Sequence, residues 1–417
     1  MQLSRLFISL FLLLVTGVLA QDLLSVLSSH SDLSRLNSLL QTVPSFADFL
    51  NSSSDITFLA PSNDAIEDLQ DLFPRGDNSS EILEAALAYH VLNGRFPASE
   101  ITRDGRFIQT LLTNPAYVNV TGGQAVYAAS SNSSDDDTEV VFYSGYNSKS
   151  KVVESDIHFA NGLIHIIDDA LVIPPSVTDA ALAAGLTSLV GAVSNASFAW
   201  TQWSNNTFFT PTNDAFESVA SALTNLSPDE LHTILMYHVI NDTVPIYTSR
   251  IDHENWITTT GTNITFNITA DGIIFVNSAA IVQANILVAN GVMHVIDNVL
   301  NPNATRDGTS GQLPPPTNQT SGLPAFPDAT SVVDEVPFTS GVPEATTTLD
   351  PEPTQTPYHG NMAPEEPSGT DGGSAESTGA PAVEESGAAA LMASRAGVVV
   401  SAFAAILVTG WGMLNLP

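Results

Sequence analysis

The chain has 417 residues, of which 43% are apolar, enough to form the cores of two or three ordinary domains. Its 44 acidic and 11 basic side chains give a net charge of −33, which repels nucleic acids and anionic membrane surfaces. The absence of cysteine excludes disulfides, thiolate metal sites and cysteine nucleophiles, so core burial alone must hold each domain together.

The N-terminus predicts a secretory signal peptide over residues 1–20. A single cation, Arg5, precedes an apolar run from Leu6 to Val15, and the small residue Ala20 stands where signal peptidase would cut. The apolar run is too short to span a membrane. We therefore expect cleavage after Ala20 and a secreted mature chain.

Three blocks of sequence occur twice in the same order, which predicts two duplicated domains. The second copy of each block follows the first by 150, 148 and 129 residues. Units of this length are too long for solenoid repeats and fit globular domains. We place domain 1 at residues 21–173 and domain 2 at residues 176–301. The paired blocks are Thr57–Ala65 with Thr207–Ala215, Tyr89–Val91 with Tyr237–Val239, and Asn161–Asp168 with Asn290–Asp297.

The first half of each unit has the apolar spacing of helices. Domain 2 also contains a strong helix start, in which Ser227 can cap the helix, Pro228 takes its first position and Glu230 can reach back to the cap. We expect this helix to run toward Tyr237. The other helical runs are Leu33, Leu36, Leu40 and Val43 in domain 1, and Leu182, Leu186, Leu189 and Val193 in domain 2.

The second half of each unit has the composition of strands. In domain 2, Asn263–Ile268, Gly272–Val276 and Val292–Ile296 are rich in β-branched residues, and Asp271-Gly272 and Asn290-Gly291 are typical of tight hairpin turns. Helices followed by strands predict an α+β fold for both domains.

Asparagine residues in the sequon Asn-x-Ser/Thr recur along the chain. One sequon carries little weight, but twelve behind a signal peptide predict a surface coated with N-glycans. The site at Asn225 is the weakest because Pro228 directly follows its sequon. The predicted sites are Asn51, Asn78, Asn119, Asn132, Asn195, Asn205, Asn225, Asn241, Asn263, Asn267, Asn303 and Asn318.

Residues 302–386 are predicted to be a disordered stalk. Between Arg306 and Arg395 there is no Lys or Arg, and Pro, Ser, Thr, Gly and acidic residues dominate, so the segment has too little apolar surface to fold. The run Thr346-Thr347-Thr348 is typical of an O-glycosylated stalk, and an unmodified linker is the alternative. In either form the segment would space the domains from a membrane.

Residues 387–417 are predicted to be a glycolipid (GPI) attachment signal. Small residues surround Gly387, a short spacer leads to Arg395, and no charged residue occurs from Gly397 to Pro417. A transmembrane helix is the alternative, but such a helix normally has Lys or Arg on its cytoplasmic side. We take Gly387 as the attachment residue, with Ser386 and the neighbouring small residues as the alternatives.

The duplicated blocks resemble the fasciclin domain family. The resemblance rests on Thr57–Ile66 and Thr207–Phe216, on the two Tyr-His pairs, and on the two Asn-Gly-x-x-His-x-Ile-Asp blocks. It covers roughly Asp22 to Asn301, and with the signal peptide and anchor the chain is similar to fungal-type fasciclin-like surface proteins with two tandem domains. The resemblance implies a wedge of β-strands packed with helices in each domain, and a role in adhesion or matrix contact.

The candidate binding residues come from the same resemblance. In the family, the neighbourhood of the Tyr-His pair is linked to receptor contact, while packed and hydrogen-bonded side chains are the alternative. The residues concerned are Tyr89, His90, Tyr237 and His238. His165 and His294 alternate with apolar residues, so we interpret them as core histidines rather than metal ligands.

The sequence contains no recognisable pattern for catalysis, a cofactor or a metal. It lacks a Gly-x-Ser-x-Gly elbow, a His-Glu-x-x-His helix and a Gly-rich phosphate loop. The acidic run Asp135-Asp136-Asp137 lacks the spaced oxygen ligands of a calcium loop. We therefore predict that the protein is not an enzyme.

The leading hypothesis is a non-enzymatic cell-surface glycoprotein that mediates adhesion or contact with the cell wall or matrix. Its expected partners are surface or wall proteins and glycans, including a second copy of the chain. Its expected location is the outer face of the plasma membrane. The alternative is a vacuolar or secretory-pathway protein that aids membrane fusion or binds a small hydrophobic ligand.

Overall fold

The structure, a computed structural model, describes most of residues 21–350 and none of residues 351–417. The predicted signal peptide, Asp135–Asp137 and Gly387 lie outside the described residues. None of the described helices is long and apolar enough to cross a membrane. The described ranges are 21–72, 80–132, 138–200, 203–223, 226–251, 255–306, 309–310, 320–322, 325–326, 329–331 and 336–350.

Domain 1 begins with helices and continues into a seven-stranded sheet. Its helices are α1 (Leu23–Ser29), α2 (Ser34–Leu40), α3 (Pro44–Ser52), α4 (Asn63–Leu72) and α5 (Ser80–Tyr89). Its strands are β1 (Ile56–Pro61), β2 (Val91–Leu92), β3 (Arg106–Gln109), β4 (Ala125–Asn132), β5 (Thr138–Tyr143), β6 (Lys149–Phe159) and β7 (Gly162–Ile167). The strand order is β2-β1-β7-β6-β5-β4-β3, in which β1 and β7 are parallel and the other neighbours are antiparallel.

Domain 2 repeats this design. Its helices are α6 (Val177–Ala183), α7 (Thr187–Asn195), α8 (Asn213–Ser218), α9 (Ala220–Leu223) and α10 (Pro228–Tyr237). Its strands are β8 (Asn206–Pro211), β9 (Val239–Asn241), β10 (Asn255–Ile257), β11 (Asn263–Ile268), β12 (Ile274–Val276), β13 (Ala279–Val288) and β14 (Gly291–Ile296). The order β10-β11-β12-β13-β14-β8-β9, with β8 and β14 parallel, matches that of domain 1. The α+β prediction is confirmed for both domains.

The parallel strand pair at the centre of each domain is buried on both faces. Every residue of β1, β7, β8 and β14 is buried, as expected for parallel strands. In domain 1, Phe58 and Ile164 face the apolar side chains of α1–α3, while Leu59 and Ile167 face a second cluster that contains Tyr89. Each domain therefore has two apolar layers separated by its central strands.

The capped helix of domain 2 forms as predicted. The Ser227 hydroxyl accepts a hydrogen bond from the Glu230 N–H at 3.3 Å, and the Glu230 carboxylate accepts one from the Ser227 N–H at 2.9 Å. This capping box starts α10 at Pro228, and the helix ends at Tyr237. The strand predicted at Asn263–Ile268 also has the observed bounds of β11.

The hairpin predicted at Asn290-Gly291 forms between β13 and β14, and Asn161-Gly162 forms the equivalent hairpin of domain 1, but the glycine also has a second purpose. Gly291 is the first residue of β14 and pairs with Asn206 in the parallel strand β8. A Cβ atom at Gly291 would lie 1.8 Å from the Asn206 carbonyl oxygen, and one at Gly162 would lie 1.9 Å from that of Ile56. The glycines therefore allow the close approach of the parallel strands.

The two domains pack against each other. The ring of Phe107 in β3 stacks on that of Tyr247, with centroids 3.9 Å apart and planes 10° apart. The Gln124 side-chain amide donates a hydrogen bond to the carbonyl of Val288 at 2.9 Å. Ala125 of β4 is buried in the same apolar cluster as Tyr247. The contact joins the β3–β4 hairpin of domain 1 to the β13–β14 side of domain 2.

The described residues between 320 and 350, which we call the strap, pack along domain 2. The Thr330 N–H donates a hydrogen bond to the Ser221 hydroxyl at 2.8 Å, and the Phe338 ring meets the edge of Phe216 with centroids 6.2 Å apart. The backbone of the strap also touches α7, because a Cβ at Gly191 would lie 1.6 Å from the Phe338 carbonyl oxygen. The strap thus covers the outer side of α7 and α8.

The end of the strap reaches the junction between the domains. The Leu349 N–H donates to the carbonyl of Ala183 at 3.2 Å, and the Asp350 N–H donates to that of Tyr146 at 3.0 Å. Thr347, in the run predicted to carry O-glycans, is buried. Packed chain therefore extends past the predicted boundary at residue 301, and the remainder of the predicted stalk, residues 351–386, lies outside the described residues.

We predict that Gly191→Ala destabilises the protein, although alanine normally favours a helix over glycine by about 1 kcal/mol. The new methyl group would displace the strap from α7, and we expect a loss of about 1–3 kcal/mol in the free energy of unfolding, measured in urea. Ser194→Ala, at an exposed position of the same helix, is the control and should change it by less than about 0.5 kcal/mol. A more stable Gly191→Ala variant would contradict the close contact.

Candidate functional site

The first candidate pair, Tyr89 and His90, lies at the end of α5 and is buried. The Tyr89 hydroxyl donates to the carbonyl of Ala125 in β4 at 3.0 Å. His90 Nε2 accepts the N–H of Leu171 at 2.9 Å, so the ring proton is on Nδ1, which donates to the carbonyl of Ala86 at 2.7 Å. All the hydrogen-bonding atoms of this histidine are used inside the domain.

The second pair repeats this arrangement at the end of α10. The Tyr237 hydroxyl donates to the carbonyl of Asn263 in β11 at 3.0 Å. His238 Nε2 accepts the N–H of Leu300 at 2.9 Å, and Nδ1 donates to the carbonyl of Ile234 at 2.8 Å. Each histidine thus ties the end of a helix to the segment that follows the last strand of its domain.

Burial changes the predicted role of these four residues. None of their side chains is accessible enough to touch a receptor in this fold. The structure therefore assigns Tyr89, His90, Tyr237 and His238 to the core, and receptor contact remains a prediction only for the surface around them.

His165 and His294 have equivalent structural roles, as the sequence interpretation expected. His165 Nδ1 accepts the N–H of Asp156 at 3.1 Å, and Nε2 donates to the carbonyl of Phe96 at 2.8 Å. In domain 2 His294 makes the same two contacts, with the N–H of Asn285 at 3.2 Å and the carbonyl of Ile246 at 2.9 Å. Within the described ranges no three His, Asp or Glu side chains are grouped so that they could hold a metal ion.

These buried histidines are neutral at physiological pH. Burial lowers the pKa of His90, His238 and His294 from 6.5 to about 4, against the smaller opposing effect of a backbone hydrogen bond, and it also lowers the pKa of His165. In each ring one nitrogen accepts a hydrogen bond from a backbone N–H. Protonation would turn this nitrogen into a second donor that faces the backbone N–H, and the hydrogen bond would be lost. The rings therefore act as fixed hydrogen-bond bridges between segments of the core.

We predict that the protein loses stability as the pH falls from about 6.5 to about 4. In this range the unfolded histidines take up protons that the folded ones do not, so each contributes a slope of up to about 1.4 kcal/mol per pH unit. The contribution is complete above pH 6.5 and is lost once the pH reaches about 4. Urea unfolding at a series of pH values measures it.

The control for this experiment is His158→Gln, because His158 is exposed. It should leave the dependence of stability on pH unchanged. A free energy of unfolding that is flat between pH 6.5 and 4 would contradict neutral buried histidines.

Most of the predicted glycosylation sites that can be located are on the surface. Asn267 is half-buried, Asn78, Asn225 and Asn318 lie outside the described residues, and so does the side chain of Asn132. The exposed sequon asparagines are Asn51, Asn119, Asn195, Asn241, Asn263 and Asn303.

Asn205 corrects the glycosylation prediction. It is only 4% exposed and lies between the domains. Its Nδ2 donates to the Thr121 hydroxyl at 2.8 Å and to the carbonyl of Thr243 at 2.9 Å, while its Oδ1 accepts the Thr121 N–H at 2.7 Å. Because an N-glycan replaces one of the two Nδ2 hydrogens, a glycosylated Asn205 would lose one of the two Nδ2 contacts and would place a sugar at a buried position. Asn205 is a hydrogen-bonded link between domains.

Two exposed valines were missed by the sequence interpretation. Val153 in β6 and Val282 in β13 are 59% and 53% exposed, and each lies where the strand pairing shifts register. Such a bulge leaves one residue unpaired and redirects its side chain. The two positions are 129 residues apart, the same offset as the Asn-Gly blocks, so aligning the two copies beyond those blocks would have revealed them.

Comparison with known proteins agrees with the duplicated architecture. The Fasciclin domain model matches residues 31–174 and 184–302. A fasciclin-like arabinogalactan protein of Arthroderma benhamiae is 32% identical over 334 residues, which cover 78% of this chain and 75% of that protein. Another, of Phaeosphaeria nodorum, is 31% identical over 299 residues, covering 70% of this chain and 92% of the relative.

The solved structures include a FAS1 domain pair from the insect cell adhesion molecule Fasciclin I. It is 18% identical to this chain, covers 65% of it and 97% of the insect chain, and has a TM-score of 0.32.

Proposed function

We propose, starting from the fact that this chain belongs to the fasciclin domain family, that it is a non-enzymatic cell-surface glycoprotein that mediates adhesion or contact with the cell wall. The observation that carries the proposal is the family match over both domains. The fungal relatives are named fasciclin-like arabinogalactan proteins, which agrees with a glycoprotein at the cell surface or wall. The exposed sequon asparagines support the same location.

The geometry supports binding through the outer surfaces of the domains. The repeated tyrosines and histidines are buried in the cores, while the two bulged valines project from equivalent positions of both domains. An isolated exposed apolar residue is common, but two at equivalent bulges give the protein a repeated apolar contact point. We place contact with a surface or wall protein, including a second copy of this chain, at Val153 and Val282.

We predict that cells lacking the protein adhere less and that the full-length chain restores adhesion. The double variant Val153→Asp/Val282→Asp should reach the surface in normal amount but restore adhesion poorly, because a charge replaces each apolar contact. Ser155→Asp, which adds a charge at an exposed position of the same strand, is the matched control and should restore adhesion fully.

Two outcomes would count against this proposal. Normal adhesion and wall structure in cells without the protein would reject the adhesive function. Full restoration by the double valine variant would keep the function but move the contact away from the bulges.

We further propose that the chain is held on the outer face of the plasma membrane by a lipid at or near Gly387. The support is the order of small residues, a short spacer and an uncharged apolar tail at the C-terminus. Lipid attachment would remove the apolar C-terminal tail, and the lipid would then hold the protein in the membrane.

We predict that phosphatidylinositol-specific phospholipase C releases the protein from intact cells. Gly387→Pro, with its small neighbours also changed to bulky residues, should prevent lipid attachment and therefore the release of an anchored form. Retention on the surface after phospholipase would favour a transmembrane helix. Retention in an internal membrane would favour the alternative of a vacuolar or secretory-pathway protein.

A further inference from the structure

The strand pair β3–β4 of domain 1 and its equivalent in domain 2, β10–β11, each have one face that points away from the core of their own domain. We call this the head face, and its environment differs between the two domains. In domain 1 the head face is formed by Phe107 of β3 with Ala125 and Tyr127 of β4, and domain 2 covers it. Ala125 is 2% exposed there, packed with Tyr247 and its neighbours. Domain 2 thus covers Phe107 and Ala125, while Gln109, which pairs with Ala125 on the same face, is exposed.

Hydrogen bonds identify the equivalent residues of domain 2. The Tyr89 hydroxyl is bonded to the carbonyl of Ala125, and the Tyr237 hydroxyl, its repeat, is bonded to the carbonyl of Asn263. Asn263 therefore occupies the position of Ala125. Strand register agrees, since Ala125 pairs with Gln109 in β3 and Asn263 pairs with Ile257 in β10.

The head face of domain 2 is open in the described part of the chain. Ile257 is 63% exposed, and Asn263 is exposed directly opposite it. Residues paired across antiparallel strands project to the same side, with Cβ atoms about 5 Å apart. Trp256 and Ile264, the next pair, face the core instead, which confirms that Ile257 and Asn263 point outward.

This exposed isoleucine adjoins a predicted glycosylation site. Asn263, Ile264 and Thr265 form a sequon, and the sequon asparagine Asn267 lies on the same face of β11 because side chains alternate along a strand. A sugar on Asn263 Nδ2 would begin within a few ångströms of the Ile257 side chain. Domain 1 carries Ala125 at this position, where a glycan would be incompatible with the contact between domains.

We propose that an N-glycan on Asn263 covers the open head face of domain 2, in the place where domain 2 itself covers the head face of domain 1. The proposal rests on the secreted glycoprotein described above. It explains why an edge strand can present a large apolar side chain, since such edges otherwise invite pairing with another chain. The glycan would therefore keep the two-domain unit from extending into longer assemblies.

Domain 2 contacts domain 1 through Tyr247 and Leu287, and different side chains occupy the equivalent positions of domain 1. Pro97 of domain 1 corresponds to Tyr247, because the preceding residues, Phe96 and Ile246, both donate their N–H to an equivalent threonine hydroxyl at 2.9 Å. His158 corresponds to Leu287 by the offset of 129 residues and is exposed, with Nδ1 3.0 Å from an Arg95 nitrogen. At this position an exposed histidine thus replaces Leu287, a leucine of the apolar cluster around Tyr247.

The first test is glycan occupancy, measured by glycopeptide mass spectrometry of the secreted full-length protein. We expect a glycan on Asn263. Thr265→Ala, which removes the sequon but keeps the asparagine, should abolish it. Thr265→Ser preserves the sequon and is the matched control, so it should retain the glycan.

The second test is exposure of the head face. Thr265→Ala and, independently, Asn263→Gln should increase the binding of the apolar dye ANS and shift sedimentation toward dimers or larger species as concentration rises. Adding Ile257→Gln, which replaces the apolar side chain without creating a sequon at Asn255, should restore wild-type dye binding and sedimentation in either variant. Asn51→Gln, which removes an exposed sequon in domain 1, should leave both readouts unchanged.

Two results would overturn the proposal. An unoccupied Asn263 would do so, and self-association of the wild-type protein through Ile257 would then identify a second copy as the occupant. Variants that lose the glycan but keep wild-type dye binding and sedimentation would also do so. Glycans on Asn51 and Asn195 but not on Asn263 would reject this inference alone, whereas a protein without any glycan would reject the secreted glycoprotein as well.

Discussion

The close approach of two parallel strands at a glycine determines how the later segments of both domains are placed. Because Gly291 lets β14 lie against β8, the register places His294 beside Phe209, three residues further along. The buried imidazole then binds the carbonyl of Ile246 and so fixes the loop after β9. The next residue, Tyr247, provides the ring that stacks on domain 1. The close approach of β14 to β8 at Gly291 thus determines where His294 lies, and His294 in turn fixes the loop that carries Tyr247 to the interface between the domains.

Features with a local cause could be predicted from the sequence, and features created by distant segments could not. The helix that begins at Ser227 and the strand Asn263–Ile268 depend on neighbouring residues, and both were predicted with their observed starts. The sequon at Asn205 is read from three residues, but its burial comes from Thr121, 84 positions earlier. The Tyr-His pairs were recognised as repeated, yet only their partners in three dimensions show that they are core residues.

The strap illustrates the same limit in a segment of unusual composition. Its apolar residues, such as Phe338 and Val342, follow neither a helical nor a strand period and are diluted by proline and acidic residues, so the sequence favoured disorder. A signal existed in the partner helix, because Gly191 stands where domain 1 has Gln41. A glutamine side chain at position 191 would clash with the Phe338 carbonyl, so the glycine is what lets the strap pack against α7.

The place where the strap ends affects how a membrane tether would act on the protein. The Asp350 N–H is bonded to the carbonyl of Tyr146 in domain 1 and the Leu349 N–H to that of Ala183 in domain 2, so the last described residues lie beside the interdomain junction. A lipid at Gly387 would then be joined to this junction through residues 351–386, which can span at most about 130 Å when fully extended. Tension on such a tether would reach the strap before either sheet. It would therefore load the hydrogen bonds at Ala183 and Tyr146 first, while the strands of both domains stay paired.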